Sequence, residues 1–439
     1  MHNFFDGRDE IVCRMEDLAI IVVAIVAMIY ALVKEFLRPG LVLFSVVVLL
    51  LASGVIAPSD ALAGFANKGM VTVALLFLVS EGVRHSQCLM PIMNRIFPHT
   101  EVSLRRGYLQ ILPTIASISA FLNNTPIVVI FTPHIKAWCN RSGISIKKLL
   151  IPLSYTAILG GVCTLIGTST NLVVHGLMID AGLEGLTMFE LGKVGVIIAT
   201  VSIGYMVLFI GRILPDETLQ KSSQGEQSEL ATSVPIWKRR LALGLLVVMI
   251  VGATIGSRQV FGRIESDMFL WAAVVATLMA IFGIYPAKNY TKYISWDILI
   301  TIASALAISR AMRISGLADV AAAAIIGLCK SCSPRVILAI IYLTTNTITE
   351  LITNNAAAAF AFPIALAAAN QLDVSPTPFC VAIAIAASAS FCSPIGYQTN
   401  TIVQALGDYS FSDFIRAGLP LTAIAFVVSM IFIPIFWKF

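Results

Sequence analysis

Two stretches decide how this chain folds: Gly167-Thr168-Ser169-Thr170-Asn171 and Gly396-Tyr397-Gln398-Thr399-Asn400. Each interrupts an apolar segment with residues that favour turns and caps over continued helix. Two further interruptions, Asn123-Asn124-Thr125-Pro126 and Thr353-Asn354-Asn355, sit at the centres of other apolar regions. The breaks come in pairs. Asn171 and Asn400 are 229 residues apart (400 − 171). Phe131-Thr132-Pro133 and Ala361-Phe362-Pro363 end 230 apart (363 − 133). Val79-Ser80-Glu81-Gly82-Val83-Arg84 and Ile308-Ser309-Arg310-Ala311-Met312-Arg313 end 229 apart (313 − 84). A near-constant offset at separated anchors marks an internal repeat, a common feature of secondary transporters.

Outward from the breaks, the sequence reads as membrane protein. Of 439 residues, 58% are hydrophobic and 12% charged, with a mean hydropathy of +0.90. Soluble domains run at about 45–50% apolar and about 25% charged. Crossing segments are predicted at 17–33, 40–57, 66–84, 149–180, 190–211, 239–257, 267–285, 295–312, 378–406 and 415–437. The run Leu18–Val33 is followed by a second apolar run and no cleavage pattern, so it is read as a first span. Regions 111–138 and 336–370, broken at their centres, are read as re-entrant hairpins, and 149–180 and 378–406 as broken helices. Gln87–Arg106 reads as an amphipathic interfacial helix.

The polar stretch 214–238 divides the chain into a first unit, 1–213, and a second, 239–439. Each unit has an odd number of crossings, five, so the second is inverted relative to the first. The expected fold is an all-α polytopic membrane protein built from two inverted five-span repeats. Running the first span outside to inside places 18 of the 29 basic residues in inner loops. That puts the linker in the cytoplasm and both termini outside, in a cell (inner) membrane.

The net charge of +5 is spread over loops and forms no nucleic-acid patch. The eight cysteines are scattered. Cys329-Lys330-Ser331-Cys332 lacks a second pair at metal-ligand spacing, so a packing role is preferred over zinc or redox chemistry. No nucleophile–base–acid set, P-loop or metal cluster is present, which argues against an enzyme.

In hydrocarbon, a broken helix is tolerated only where protein or a water-filled cavity satisfies its backbone. Such a break offers free carbonyls to Na⁺ at one half-helix end and free N–H groups to an anion at the other. Thr114–Pro133, Leu149–Val174, Thr353–Leu372 and Pro378–Leu406 contain no Asp, Glu, Lys, Arg or His. Proton coupling usually uses a titratable group near the midplane. A neutral site fits a divalent anion whose charge at least two Na⁺ offset. Glu350, three residues before Thr353 and aligned with Ala120, is read as a brace of the hairpin. Glu81 and Arg310 are read as snorkelling residues at span ends, and Arg84 and Arg313 as anchors of the segments that follow.

Leu149-Leu150-Ile151-Pro152-Leu153-Ser154-Tyr155, Thr164-Leu165-Ile166-Gly167-Thr168-Ser169-Thr170-Asn171-Leu172, Thr349-Glu350-Leu351-Ile352-Thr353-Asn354-Asn355-Ala356 and Pro394-Ile395-Gly396-Tyr397-Gln398-Thr399-Asn400 together resemble the divalent anion/Na⁺ symporter family, nearest its sulfate-permease branch. The resemblance implies Ser-Asn-Thr-type hairpin tips that bind Na⁺ and touch substrate. They match Asn123-Asn124-Thr125 and Thr353-Asn354-Asn355, neither keeping the full triplet. Na⁺ ligands are thus expected at Asn123, Asn124, Gly167, Thr353, Asn354 and Gly396, the glycines through their carbonyls. Substrate contacts are expected at Thr125, Thr168, Ser169, Thr170, Asn171, Asn355, Tyr397, Gln398, Thr399 and Asn400. The resemblance further implies a homodimer, an elevator-type motion and, in many relatives, ligand-sensing domains where this chain has its short linker.

The expectation is Na⁺-coupled transport of a divalent inorganic oxyanion, sulfate first. The dicarboxylate branch often has Thr/Ser-Pro-Pro-Asn at its breaks; Thr168-Ser169-Thr170-Asn171 and Tyr397-Gln398-Thr399-Asn400 depart from it. Alternatives are a Na⁺/H⁺ antiporter, an arsenite-type efflux protein, a di- or tricarboxylate symporter, or a passive anion channel.

Overall fold

The computed structural model describes residues 3–34, 36–97, 103–216, 234–254, 259–260, 264–265, 267–327 and 333–439. The Cys329–Cys332 motif and linker residues 217–233 lie outside the described residues. The first half holds α1 (Asn3–Val33), α2 (Pro39–Ala52), α3 (Pro58–Ala63), α4 (Lys68–Ser86), α5 (Met90–Ile96), α6 (Leu104–Ser119), α7 (Asn124–Ser142), α8 (Lys147–Gly161), α9 (Ser169–Asp180), α10 (Gly192–Tyr205) and α11 (Gly211–Ile213). The second half holds α12 (Ile236–Thr254), α13 (Met268–Ile281), α14 (Trp296–Ile314), α15 (Leu317–Gly327), α16 (Pro334–Leu351), α17 (Asn354–Gln371), α18 (Thr377–Ser388), α19 (Gln398–Gly407) and α20 (Phe411–Phe436). A two-residue antiparallel pair, 259–260 with 264–265, is the one departure from helix and turn among the described residues.

Helix limits follow local chemistry. The Asn67 side chain accepts from Gly69 N (2.8 Å) and Met70 N (3.3 Å) and so starts α4. Ser410 and Asp413 form a reciprocal capping box that starts α20. By length and composition, Glu16–Val33, Pro58–Ser86, Gly192–Ile213 and Phe411–Phe436 are each able to cross a bilayer. Trp296–Ile314 and Leu317–Gly327 pass together but are bent by 72°. Of the other predicted crossings, α2 and α13 are shorter apolar helices, 149–180 and 378–406 are interrupted, and α12 runs 19 residues with Lys238, Arg239 and Arg240 near its start.

Two sequence expectations shift. The first hairpin is α6–α7, spanning Leu104 to Ser142, longer than 111–138. One face of its added turns is packed: Tyr108 is 1% exposed and its Oη donates to Lys148 O (2.5 Å). The 87–106 segment is accordingly divided between α5 and the start of α6. Arg310 and Arg313 are not snorkelling or anchoring residues. Arg310 pairs with Asp180 and Asp60, and Arg313 with Asp180 at 3.0 Å. These partners lie more than a hundred positions away, beyond the reach of any local pattern.

The breaks are held by one device used twice. Asn171 Nδ2 donates to Gly161 O (3.1 Å) and Thr164 O (2.8 Å), the carbonyls left where α8 stops. Asn400 Nδ2 donates to Ser390 O and Ser393 O, both at 3.0 Å, where α18 stops. The sequence separations, ten and seven residues, are the same in both halves. Likewise Ser119 Oγ donates to Ala157 O (2.9 Å) and Thr349 Oγ1 to Ala387 O (2.7 Å), each over 38 residues. Backbone closes tightly at the breaks. A Cβ on Gly167 would lie 2.6 Å from Gly161 O, and one on Gly396 would collide with Thr349 O and Ser390 Oγ.

Because the Asn171 and Asn400 amides are fully buried, removing either leaves two carbonyls unpaired in a dry interior. Asn171→Ala and Asn400→Ala are each expected to cost about 1–3 kcal/mol, read as a lower thermal unfolding midpoint in detergent. Asn400→Asp should not restore it, since a carboxylate cannot donate. An unchanged midpoint in both alanine variants would show that the loops do not depend on these amides.

Candidate functional site

Four helices begin at one place. The N-termini of α7, α9, α17 and α19 follow the N-cap residues Asn123, Thr168, Thr353 and Tyr397, and none of the four is capped by its N-cap side chain. Their opening N–H groups therefore lack the usual side-chain acceptor, which favours an anion there. Between them lies a cavity of about 580 Å³. Asn123, Asn124, Thr125, Thr168, Ser169, Thr353, Asn354, Asn355, Gly396, Tyr397 and Gln398 line it. Eleven of the sixteen residues expected at the site are thus brought together.

The other five stand behind this wall. The Gly167 carbonyl faces the Asn124 amide. Thr170 Oγ1 lies between Asn354 Nδ2 (2.7 Å) and Asn355 Oδ1 (3.2 Å). Thr399 Oγ1 accepts from Ser154 Oγ (2.8 Å). Asn171 and Asn400 hold the breaks, as described above. Thr170, Asn171, Thr399 and Asn400 are all fully buried, so this geometry gives them to the frame of the site and not to its surface.

Each hairpin tip leans on the broken helix of the other half. Asn124, 4% exposed, contacts Tyr397 Oη at 2.7 Å, and Thr125 Oγ1 donates to Gln398 Oε1 (3.2 Å). In the opposite direction Asn354 reaches Thr170, and Asn355 Oδ1 accepts from Ser169 Oγ (3.2 Å). Tyr397 Oη lies 2.7 Å from Thr168 Oγ1 as well.

The surroundings of the Asn124 amide are chemically informative. At one terminus stand Ser119 Oγ (2.8 Å), Ala157 O (2.9 Å) and Gly167 O (3.2 Å), and at the other stands Tyr397 Oη. With the nitrogen toward the first three, every contact is a donor–acceptor pair. Turned over, the carbonyl oxygen meets three more oxygens, a cluster that suits a hard cation. In the second half, Thr353 Oγ1 is buried without a hydrogen-bond partner, an orphan of the kind that signals an unfilled role.

Sequence reading missed Ser119 and Thr349, which stand five residues before Asn124 and Asn354. The repeat offset, 349 − 119 = 230, was the signal that could have found them. Glu350 is where the brace reading put it. Its Oε1 accepts from Phe391 N and Cys392 N (3.0 Å each) and its Oε2 from Ser390 Oγ (3.2 Å). Charge sits at the rim: Glu81, Arg84, Lys292 and Asp297 line the cavity. Arg84 Nε donates to Glu81 (2.9 Å), a pairing across one helical turn.

Among relatives, an uncharacterized transporter of Synechocystis sp. is 25% identical over 583 aligned positions, covering 93% of this chain and 94% of the relative. A putative sulfur deprivation response regulator of Chlamydomonas reinhardtii is 32% identical over 52% of this chain and 38% of its own length. Sodium/sulfate cotransporter 1 of the same alga is 45% identical over 28% of this chain. This chain spans 14% of that cotransporter. The YdaH transporter of Alcanivorax borkumensis has the same fold at a TM-score of 0.61 and 13% identity, over 86% of this chain and 87% of that one. The relatives named are transporters or a sulfur-response regulator, in keeping with the resemblance to anion symporters. The profile of the citrate transporter family matches residues 15–270 and 260–439, and the chain belongs to that family of transporters.

Proposed function

We propose that this transporter is a Na⁺-coupled symporter of a divalent inorganic oxyanion, sulfate first, working by elevator-type alternating access. One observation carries the reading: four uncapped helix N-termini meet a cavity whose inner wall is neutral, with clustered oxygens directly behind them. The N–H groups supply partial positive charge to an anion. Na⁺ takes the oxygens of Ser119, Asn124, Ala157 and Gly167 after the Asn124 amide turns. A second Na⁺ takes the matching place at Thr349, Thr353, Asn354 and Gly396. Cation binding then removes the Asn124 oxygen from Tyr397, which frees the tyrosine hydroxyl to donate to the anion. The first ion thereby prepares the anion site.

The two halves, 1–213 and 239–439, act as inverted units of a homodimer in the cell (inner) membrane. The algal cotransporters named for sodium and sulfate support the substrate. The family description, citrate transporter, favours a second reading, a di- or tricarboxylate symporter.

Labelled sulfate uptake into proteoliposomes separates these readings. Concentrative uptake is expected with an inward Na⁺ gradient and not with a matched K⁺ gradient, at two or more Na⁺ per anion. Competition by citrate or succinate and not by selenate would transfer the assignment to carboxylates. A Na⁺:anion ratio below two would remove the charge-balance argument.

Substitutions locate the ions. Asn124→Ala and Asn354→Ala should each raise the Na⁺ concentration for half-maximal uptake by roughly tenfold or more, the value of one hydrogen-bonding contact to a charge. Tyr397→Phe should weaken anion affinity and leave the thermal stabilisation given by Na⁺ alone in place. Wild-type Na⁺ dependence in both asparagine variants would refute the ion assignment.

A further inference from the structure

Two helices that start at the cavity meet again at a charged cluster beyond it. Helices α9 and α14 both start at the cavity: Thr168 and Ser169 line it from one, and Asp297, Ile298 and Thr301 from the other. At 1.5 Å per residue, α9 carries Asp180 about 16 Å beyond Ser169, and α14 carries Arg310 about 20 Å beyond Asp297. There the two helices rejoin. Arg310 grips Asp180 with two nitrogens, Nε at 3.1 Å, and reaches Asp60 on α3 at 3.3 Å. Arg313 takes Asp180 Oδ2 at 3.0 Å. Asp180 is 13% exposed in its side chain, and nearby Asn67 Nδ2 donates to Gly176 O on the last turns of α9 (3.3 Å). Partly buried, multiply bonded pairs of this kind hold two elements in one arrangement until water can re-enter.

The cavity mouth carries the counterpart, disengaged. Glu81 and Arg84 stand 229 positions before Arg310 and Arg313, on α4 (310 − 81 and 313 − 84). Arg84 lines the cavity and is held by Glu81 of its own helix. Helix α19 begins at the cavity with Gln398 as α9 does with Ser169. Its C-cap is an aspartate, Asp408, 228 positions after Asp180 (408 − 180) and exposed. So one Asp–Arg set is engaged between helices, and a second set of the same residue types stands unengaged with each other.

We infer that Asp180 with Arg310 and Arg313 is the latch of the closed face, and that Asp408 with Arg84 is the latch of the opposite state. Opening toward the far side requires Asp180 to leave both arginines. Closing the present mouth moves Arg84 from Glu81 to Asp408. Arg310 keeps Asp60 as partner when Asp180 departs, while Arg313, whose side chain is 32% exposed, is released to water. The inference rests on the alternating-access reading above.

The test uses the full chain in proteoliposomes, with native cysteines replaced in a background that retains Na⁺-dependent thermal stabilisation. In Asp180→Cys/Arg310→Cys, a short reducible bis-thiosulfonate linker is expected to abolish labelled sulfate exchange at least tenfold, with recovery on reduction. In Arg84→Cys/Asp408→Cys, both at exposed positions, the linker is expected to join the pair with Na⁺ and sulfate present and not in K⁺ alone. Exchange at the unlinked rate by the linked 180/310 protein would overturn the latch. So would an 84/408 pair that never joins under any condition, and that pair decides alone should the first variant fail to fold. Linking is read by gel mobility and needs no uptake. Condition-dependent linking without transport of any anion tested would therefore count against the proposed substrate and not against the latch.

Discussion

Unpaired backbone in a dry interior is the constraint on which the rest of this molecule depends. Helices α8 and α18 end, and α7, α9, α17 and α19 begin, inside protein, where each lone N–H or C=O costs several kcal/mol. The carbonyl ends are met by side-chain amides, Asn171 for α8 and Asn400 for α18, with the same spacing in each half. The N–H ends are left open toward the cavity. That division of labour turns a structural problem into a binding property. The carbonyl side is consumed in holding the fold, and the donor side remains for an incoming anion.

Rigidity at the breaks alone would not couple two ligands. In the proposed mechanism, coupling comes from the crossed contacts, in which the tip of each hairpin touches the other half's broken helix. Tyr397 is the meeting point, within 2.7 Å of both Thr168 and Asn124. A change of orientation at one amide is felt across the pseudo-symmetric boundary through a single hydroxyl. Because interfaces of this kind are bistable rather than continuously deformable, a rotation of one side chain is enough to bias a larger element.

Much of this was legible in the sequence, for specific reasons. Long apolar runs and polar interruptions are strong local signals, so the helices of the second hairpin, Pro334–Leu351 and Asn354–Gln371, lie close to the expected 336–370. Repeat spacing located both breaks. The roles of Asn171 and Asn400 were not legible. An asparagine in a break has the same composition signal whether its amide faces substrate or backbone, and only three-dimensional placement separates them. Arg310 and Arg313 failed for another reason: their acidic partners are remote in sequence, and a charge at a helix end looks the same whether it meets water or Asp180. The first hairpin's extension to Leu104 was hidden by Arg105 and Arg106, whose charge masks the buried face presented by Tyr108.

The two breaks are not equal. The first loses its helix between Gly161 and Ser169, the second over a longer stretch between Ser388 and Gln398. That longer loop exposes additional N–H groups, and Glu350 takes those of Phe391 and Cys392. In the first half the corresponding residue is Ala120, whose backbone carbonyl simply accepts from Thr164. The two halves are therefore non-interchangeable parts. A chain assembled from two copies of the first half would bring an alanine where the longer loop requires a carboxylate, and two copies of the second would bury a carboxylate where the shorter loop has no use for one. The two breaks resemble each other in spacing, but the chain that holds them has a reading direction.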